Sequence, residues 1–116
     1  MGEKSEKQES VNIPVSEALR LNEMVDYQEG SVVSRELLKN KAGTITAFAF
    51  DKGQGLSEHT APYDAFVQVL EGTVKITIGG KEMDVAHGEV VIMPANVPHA
   101  LHAKTKFKMM LVMIRG

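Results

Sequence analysis

From residue 31 onward the chain is a succession of short β-branched and apolar runs cut by turn signals, and this rhythm limits it to an all-β fold. The clearest run is Thr73-Val74-Lys75-Ile76-Thr77-Ile78. Its side chains alternate, with Val74, Ile76 and Ile78 on one face and Thr73, Lys75 and Thr77 on the other, as a strand with one buried face requires. Gly79-Gly80 follows, a two-residue hairpin signal, and Lys81-Glu82-Met83-Asp84-Val85-Ala86 is the returning strand. Six further runs read the same way: 31–38, 44–50, 65–72, 89–94, 99–103 and 106–114. Turn residues separate them at Lys41-Ala42-Gly43, Gly53-Gln54-Gly55, Gly72, His87-Gly88 and Pro94-Ala95-Asn96. Eight strands with almost no helix imply a sandwich, jelly roll or small barrel.

Residues 1–30 stand apart as a polar extension, partly helical or disordered. The first ten, MGEKSEKQES, are charged and lack the apolar stretch of a secretory signal. Ala18, Leu19, Met24 and Val25 suit one short helix between Pro14 and Gly30; an irregular lead-in or an edge strand fits them nearly as well. At 116 residues the whole chain is one domain, with residues 31–116 as its barrel.

Composition removes several classes of function. There is no cysteine, hence no disulfide framework, thiol nucleophile or thiolate metal site. Thirteen Lys and Arg against 15 Asp and Glu leave no basic surface for nucleic acid. The longest apolar run, Met109 to Ile114, is too short to cross a bilayer, so no membrane role is expected and the cytoplasm is the expected location. Phosphate-cradling glycine loops and a G-x-S-x-G elbow are both missing.

What remains is histidine. His59, His87 and His99 each fall close to turn glycines or prolines, and imidazole is the commonest metal ligand. The spacing around two of them resembles the two motifs of the cupin superfamily of small β-barrels. The first motif runs glycine, five residues, His-x-His, three or four residues, glutamate, six residues, glycine; Gly53, His59 and Gly72 take their places in it. The second runs glycine, five residues, Pro-x-Gly, two residues, histidine, three residues, asparagine; Gly88, Pro94 and His99 take theirs. The departures are equally definite. Ala61 replaces the second histidine, Ala65 the glutamate, Asn96 the inner glycine and Ala103 the asparagine.

The resemblance implies a double-stranded β-helix, that is, a jelly-roll cupin barrel, paired as a homodimer. It also implies a divalent transition metal (Zn, Fe, Mn or Ni) whose carried-over ligands are His59 and His99. Two neutral imidazoles plus water can hold Zn, Fe, Ni or Cu and leave open positions. Strand alternation turns Ala65, Val67 and Val69 inward and Phe66, Gln68 and Leu70 outward. A one-residue slip at the Ala61-Pro62-Tyr63-Asp64 turn would instead bring Asp64 and Gln68 inward as oxygen ligands. Tyr63, Asp64, Gln68 and His102 are therefore the further candidates for the pocket. His102, three residues from His99, faces away from it unless the strand bulges. His87 reads as a solvated turn residue.

Met93, Met109, Met110 and Met113 read either as ordinary core filling or as the wall of an adaptable apolar pocket. Lys104, Lys106 and Lys108, at spacing two, read as a solvated strand face. Two functions stay open at this point. One is a metal-binding protein or metal-dependent enzyme acting on a small molecule. The other is a metal-free module that binds or senses a small molecule without catalysis, which the two alanines favour because alanine enlarges a cavity and coordinates nothing.

Overall fold

The alternation in the sequence becomes alternation in burial. Ala65, Val67 and Val69 are buried while their neighbours Phe66, Gln68 and Leu70 are half-exposed, and Val74 and Ile76 are buried between half-exposed Thr73, Lys75 and Thr77. A computed structural model describes residues 9–115 of the protein. Its strands are β1 (Ser10–Val11), β2 (Val32–Asn40), β3 (Gly43–Phe50), β4 (Gly55–His59) and β5 (Asp64–Glu71), then β6 (Thr73–Ile78), β7 (Lys81–Ala86), β8 (Val90–Met93), β9 (His99–Ala103) and β10 (Phe107–Ile114). All eight expected strands are present; β1 and β4 are the two the sequence did not announce.

The strands form a jelly-roll barrel of two sheets. One has six strands in the order β1-β2-β3-β10-β5-β8, the other four in the order β4-β9-β6-β7, and every pairing is antiparallel. The β6–β7 hairpin closes at Gly79 and Gly80, which sit at φ 56° and 83°. Positive φ at both central residues is what a turn matching the twist of the flanking strands needs. Gly72 admits no side chain for a different reason: a Cβ there would overlap the carbonyl oxygen of Lys106, where β5 turns into β6 against the start of β10.

Between the sheets lies one apolar core. Phe50 and Phe107 stack at its centre with ring centroids 4.4 Å apart, and Val67, Val69, Val74, Ile76 and Met109 are sealed around them. A second, smaller cluster lies on the outer face of the large sheet, where Val25 packs on Leu37, Ala47 and Ala49. This cluster explains residues 9–30. No α-helix forms there; one turn of 3-10 helix at Leu21–Glu23 is all, and Ser16 sits at φ 62°, which a helix cannot accommodate. The segment runs irregularly across β2 and β3 because its apolar residues find that sheet face. The expectation for residues 1–8 lies outside the described residues.

The same covering segment corrects the reading of the lysine run. Lys104 and Lys106 are exposed, in the loop before β10, but Lys108 is buried. Its ammonium donates to the Asn22 carbonyl oxygen at 2.6 Å and lies 5.0 Å from the centre of the Tyr27 ring.

A histidine pair at the mouth of the barrel

His59 ends β4 and His99 begins β9, and the two stand opposite one another in the ladder. A register shift between Leu56 and His59 re-aims the end of β4. Such bulges commonly turn a side chain toward a site. The rings meet edge to face with centroids 4.3 Å apart, and the two Nε2 atoms are 3.1 Å from each other.

The far side of each ring fixes what those Nε2 atoms are. Nδ1 of His59 lies 2.8 Å from the Ser57 carbonyl oxygen, and Nδ1 of His99 lies 3.2 Å from that of Val97. A carbonyl oxygen only accepts, so each Nδ1 carries a hydrogen, and a ring in its neutral form presents an Nε2 lone pair to the other. Burial pushes the His99 pKa below its ordinary value, and the neighbouring His59 pushes it the same way. His99 is buried, whereas His59 is exposed at the rim.

Behind the pair is a cavity of about 60 Å³. Its wall consists of the two histidines, three methionines (Met93, Met109 and Met113) and five residues that are leucine or alanine, among them Ala61 and Ala65. Space of that size holds an ion with one or two waters, since a water's share of liquid volume is about 30 Å³. Among the described residues no group of three or more His, Cys, Asp and Glu side chains is placed to hold a metal ion. The residues present nevertheless fit one on a single observation. Two lone pairs 3.1 Å apart reach a common point at nitrogen–metal bonds of about 2.0–2.1 Å.

The other candidates lie elsewhere. No slip occurs at the 61–64 turn, so Ala65 faces the cavity and Gln68 lies on the outer face of the large sheet, opposite Met110 and Val90. Asp64 is exposed and accepts the Ala95 N–H at 2.9 Å. Tyr63 lies with its ring 5.3 Å from the Arg115 guanidinium. His102 pairs across the sheet with Lys75 and Gly55 and is exposed, as is His87. None of these five lines the cavity.

The methionines divide. Met93, Met109 and Met113 face the cavity, while Met110, at odd spacing from them, is on the opposite face of β10. The part played by Asp64 was not legible as such. Its carboxylate and the Ala61 carbonyl oxygen, which accepts the Asn96 N–H at 2.7 Å, fasten the 94–97 turn to the 61–64 turn. Asn96 sits at φ 65° in that turn. Asparagine tolerates that conformation better than any residue but glycine, which the motif has there.

Comparison with known proteins finds relatives of the chain. The family model described as the cupin domain matches residues 47–115. A conserved protein of unknown function from Streptococcus pyogenes is 38% identical, with a TM-score of 0.86 over 90% of this chain and 92% of that one. A cupin 2 conserved barrel domain protein from Leptotrichia buccalis is 43% identical, with a TM-score of 0.78 over 81% of this chain and 46% of that one. An uncharacterized protein of Streptomyces coelicolor is 31% identical over 67 residues, 58% of this chain; the match spans 64% of that relative's length.

Proposed function

The chain belongs to the cupin domain family, and from that premise we propose that it binds a transition-metal ion through His59 and His99 and acts on a small molecule at the cavity mouth. The observation that carries this reading is the pair of Nε2 lone pairs meeting at 3.1 Å, each ring oriented by a backbone carbonyl. Such carbonyl contacts set the tautomer and direction of metal-binding histidines. An ion there would supply Lewis-acid polarisation of a bound oxygen or activation of a bound water.

The chain's own residues do the rest. Burial keeps the His99 imidazole neutral and available as a donor near neutral pH. The leucine, alanine and methionine wall keeps bulk water from the inner side. Exposed His59 leaves the outer side open. Since the cavity holds little more than the ion and a water, most of the small molecule would lie outside it, against the rim.

A second reading keeps the barrel and drops the metal: a module that binds or senses a small apolar group. Ala61 and Ala65 favour it, because they widen the cavity where the resemblance has a histidine and a glutamate. For partners we place a second copy of this chain beside the small molecule, and for location the cytoplasm, with which a cysteine-free chain is compatible. Among the described residues no helix is long and apolar enough to cross a membrane.

Elemental analysis of untagged, dialysed protein reconstituted with Zn, Fe, Mn, Ni and Cu tests the metal reading. Close to one ion per chain, lost in His59→Ala and in His99→Ala, is the expected result. A wild-type chain that retains none of these ions sinks it and leaves the metal-free module.

A further inference from the structure

The wall of the His59–His99 cavity has an unusual donor inventory. Of its side chains, the only ones with a donor atom are the two imidazoles and three thioethers, those of Met93, Met109 and Met113. No side chain of the wall carries an oxygen donor or a negative charge. Two carboxylates adjoin the wall in sequence, and neither lines it: exposed Glu58 precedes His59, and Asp64 is turned to the Ala95 N–H. On the reading that the histidine pair holds an ion, we propose that the ion is monovalent copper, with thioether sulfur from the methionine wall completing its shell.

Three physical arguments converge on that charge and that element. The first is electrostatic. The cost of moving an ion out of water grows with the square of its charge, so a monocation bears about a quarter of the penalty of a dication of equal radius. Every donor here is neutral. The positions where the resemblance has a histidine and a glutamate hold Ala61 and Ala65, so no side chain of the wall offsets a second positive charge.

The second argument is softness. Thioether sulfur binds Cu(I) well, whereas Mn, Mg and Ca prefer carboxylate, carbonyl and water oxygen, none of which the side chains of this wall provide. The third is solvent. Met93 and Met109 are 4% and 1% exposed and His99 5%, so the inner side of the site is dry. A dry apolar shell favours the lower charge state of a redox-active metal. Position matters too: Met109 and Met113 lie four apart on β10 and share the inward face, Met93 enters from β8, and Met110 on the outward face takes no part.

Leucine conserves methionine's volume but has no donor, so Met93→Leu, Met109→Leu and Met113→Leu, singly and together, separate coordination from packing. Untagged apo-protein is titrated anaerobically with Cu(I) against a chromophoric Cu(I) chelator, and separately with Zn(II) against a zinc indicator. The proposal expects one Cu(I) per chain and a sulfur scatterer in the copper-edge absorption spectrum. It also expects a Cu(I) affinity roughly tenfold or more weaker in the triple leucine variant, and Zn(II) affinity changed less than about twofold.

Wild-type Cu(I) affinity in the triple variant, or Zn(II) or Ni(II) binding without Cu(I), overturns the copper proposal while the two-histidine site stands. No ion of any kind in wild type overturns both. The single Met113→Leu variant, at a half-exposed position, guards against a folding defect in the triple; it must weaken Cu(I) without lowering the unfolding midpoint.

Discussion

The Nε2 atoms of His59 and His99 lie 3.1 Å apart with both Nδ1 atoms committed to backbone carbonyl oxygens, so the pair is short of one cation. Two lone pairs at that distance repel, and a metal ion bound by both removes that repulsion. An ion that binds the folded chain and not the unfolded one therefore raises stability by mass action, about 2.7 kcal/mol at a hundredfold excess over its Kd. Thermal unfolding with and without ion should show a higher midpoint when loaded, reversed by chelator and abolished in His99→Ala. An unchanged midpoint across all ions tried would remove the site from consideration.

Acid should act on the same pair in the opposite sense. Burial lowers the folded-state pKa of His99 below the ordinary 6.5, so between those two values the unfolded chain binds more protons than the folded one. Stability then rises with pH through that window and levels off above about 6.5. Metal-free wild type should lose stability from pH 7 toward pH 5, and His99→Leu should lose less over the same interval. Urea unfolding at a series of pH values decides it; parallel curves for the two proteins would contradict the assignment of His99 as the buried neutral ring.

The turn that carries His99 into place rests on Asn96 and Asp64. With φ at 65°, Asn96 is where a β-branched residue is strained by about 1–2 kcal/mol. Asn96→Val should lower stability by that order and loosen metal binding, while Asn96→Gly should be close to neutral. Asp64→Ala removes the acceptor of the Ala95 N–H and should weaken metal affinity without touching the ion. Equal metal affinity in Asn96→Val and wild type would show that the turn does not position the histidine.

These two residues also mark where the sequence stops being readable. Alternation in residues 65–69 and 73–78 revealed which side chains face inward, because a strand's period is two and burial obeys it. Spacing singled out His59 and His99 because the turns on either side have fixed lengths. Asp64 stayed a candidate ligand, since a one-residue slip reverses every side chain and only the closed ladder decides the register. Lys108 looked solvated because nothing local shows that Tyr27, far away in the chain, will cover it. The methionines were readable as a cluster, either core or pocket wall, but the two could not be told apart, because β8 and β10 meet only across β5.

Tyr27 and Glu71 fasten the covering segment to the barrel. The phenol donates to Glu71 Oε1 at 2.7 Å, and burial, followed by that carboxylate, raises its pKa, so it remains a neutral donor throughout the physiological range. Tyr27→Phe removes one hydrogen bond to a charged acceptor and should cost roughly 1.5–3 kcal/mol at most, less where water replaces it. Faster proteolysis ahead of residue 30 with unaltered metal affinity is the expected signature. A variant as resistant as wild type would mean the apolar contacts of Val25 hold the segment by themselves.

The outer face of the large sheet carries one more consequence. Ile92, Phe66, Val112, Ile45 and Leu38 are successive ladder partners, an apolar row crossing five strands from the β8 edge toward β1. At about 4.8 Å between strands the row is roughly 20 Å long, the breadth of an interface burying about 800 Å² per partner. Ile92 is 53% exposed and Leu38 37%, so both ends of the row are open among the described residues, while Ile45 borders the Val25 cluster. A straight row is its own complement under a two-fold axis lying in the plane of the interface, which is why the expected occupant is a second copy rather than a different protein. Sedimentation should find a dimer for wild type and a monomer for Phe66→Lys, whose charge within the row would be buried unpaired. Because the row lies on the opposite side of β5 from Ala65, the monomeric variant should keep its metal affinity. A wild-type chain that sediments as a monomer at all concentrations would refute pairing through this face.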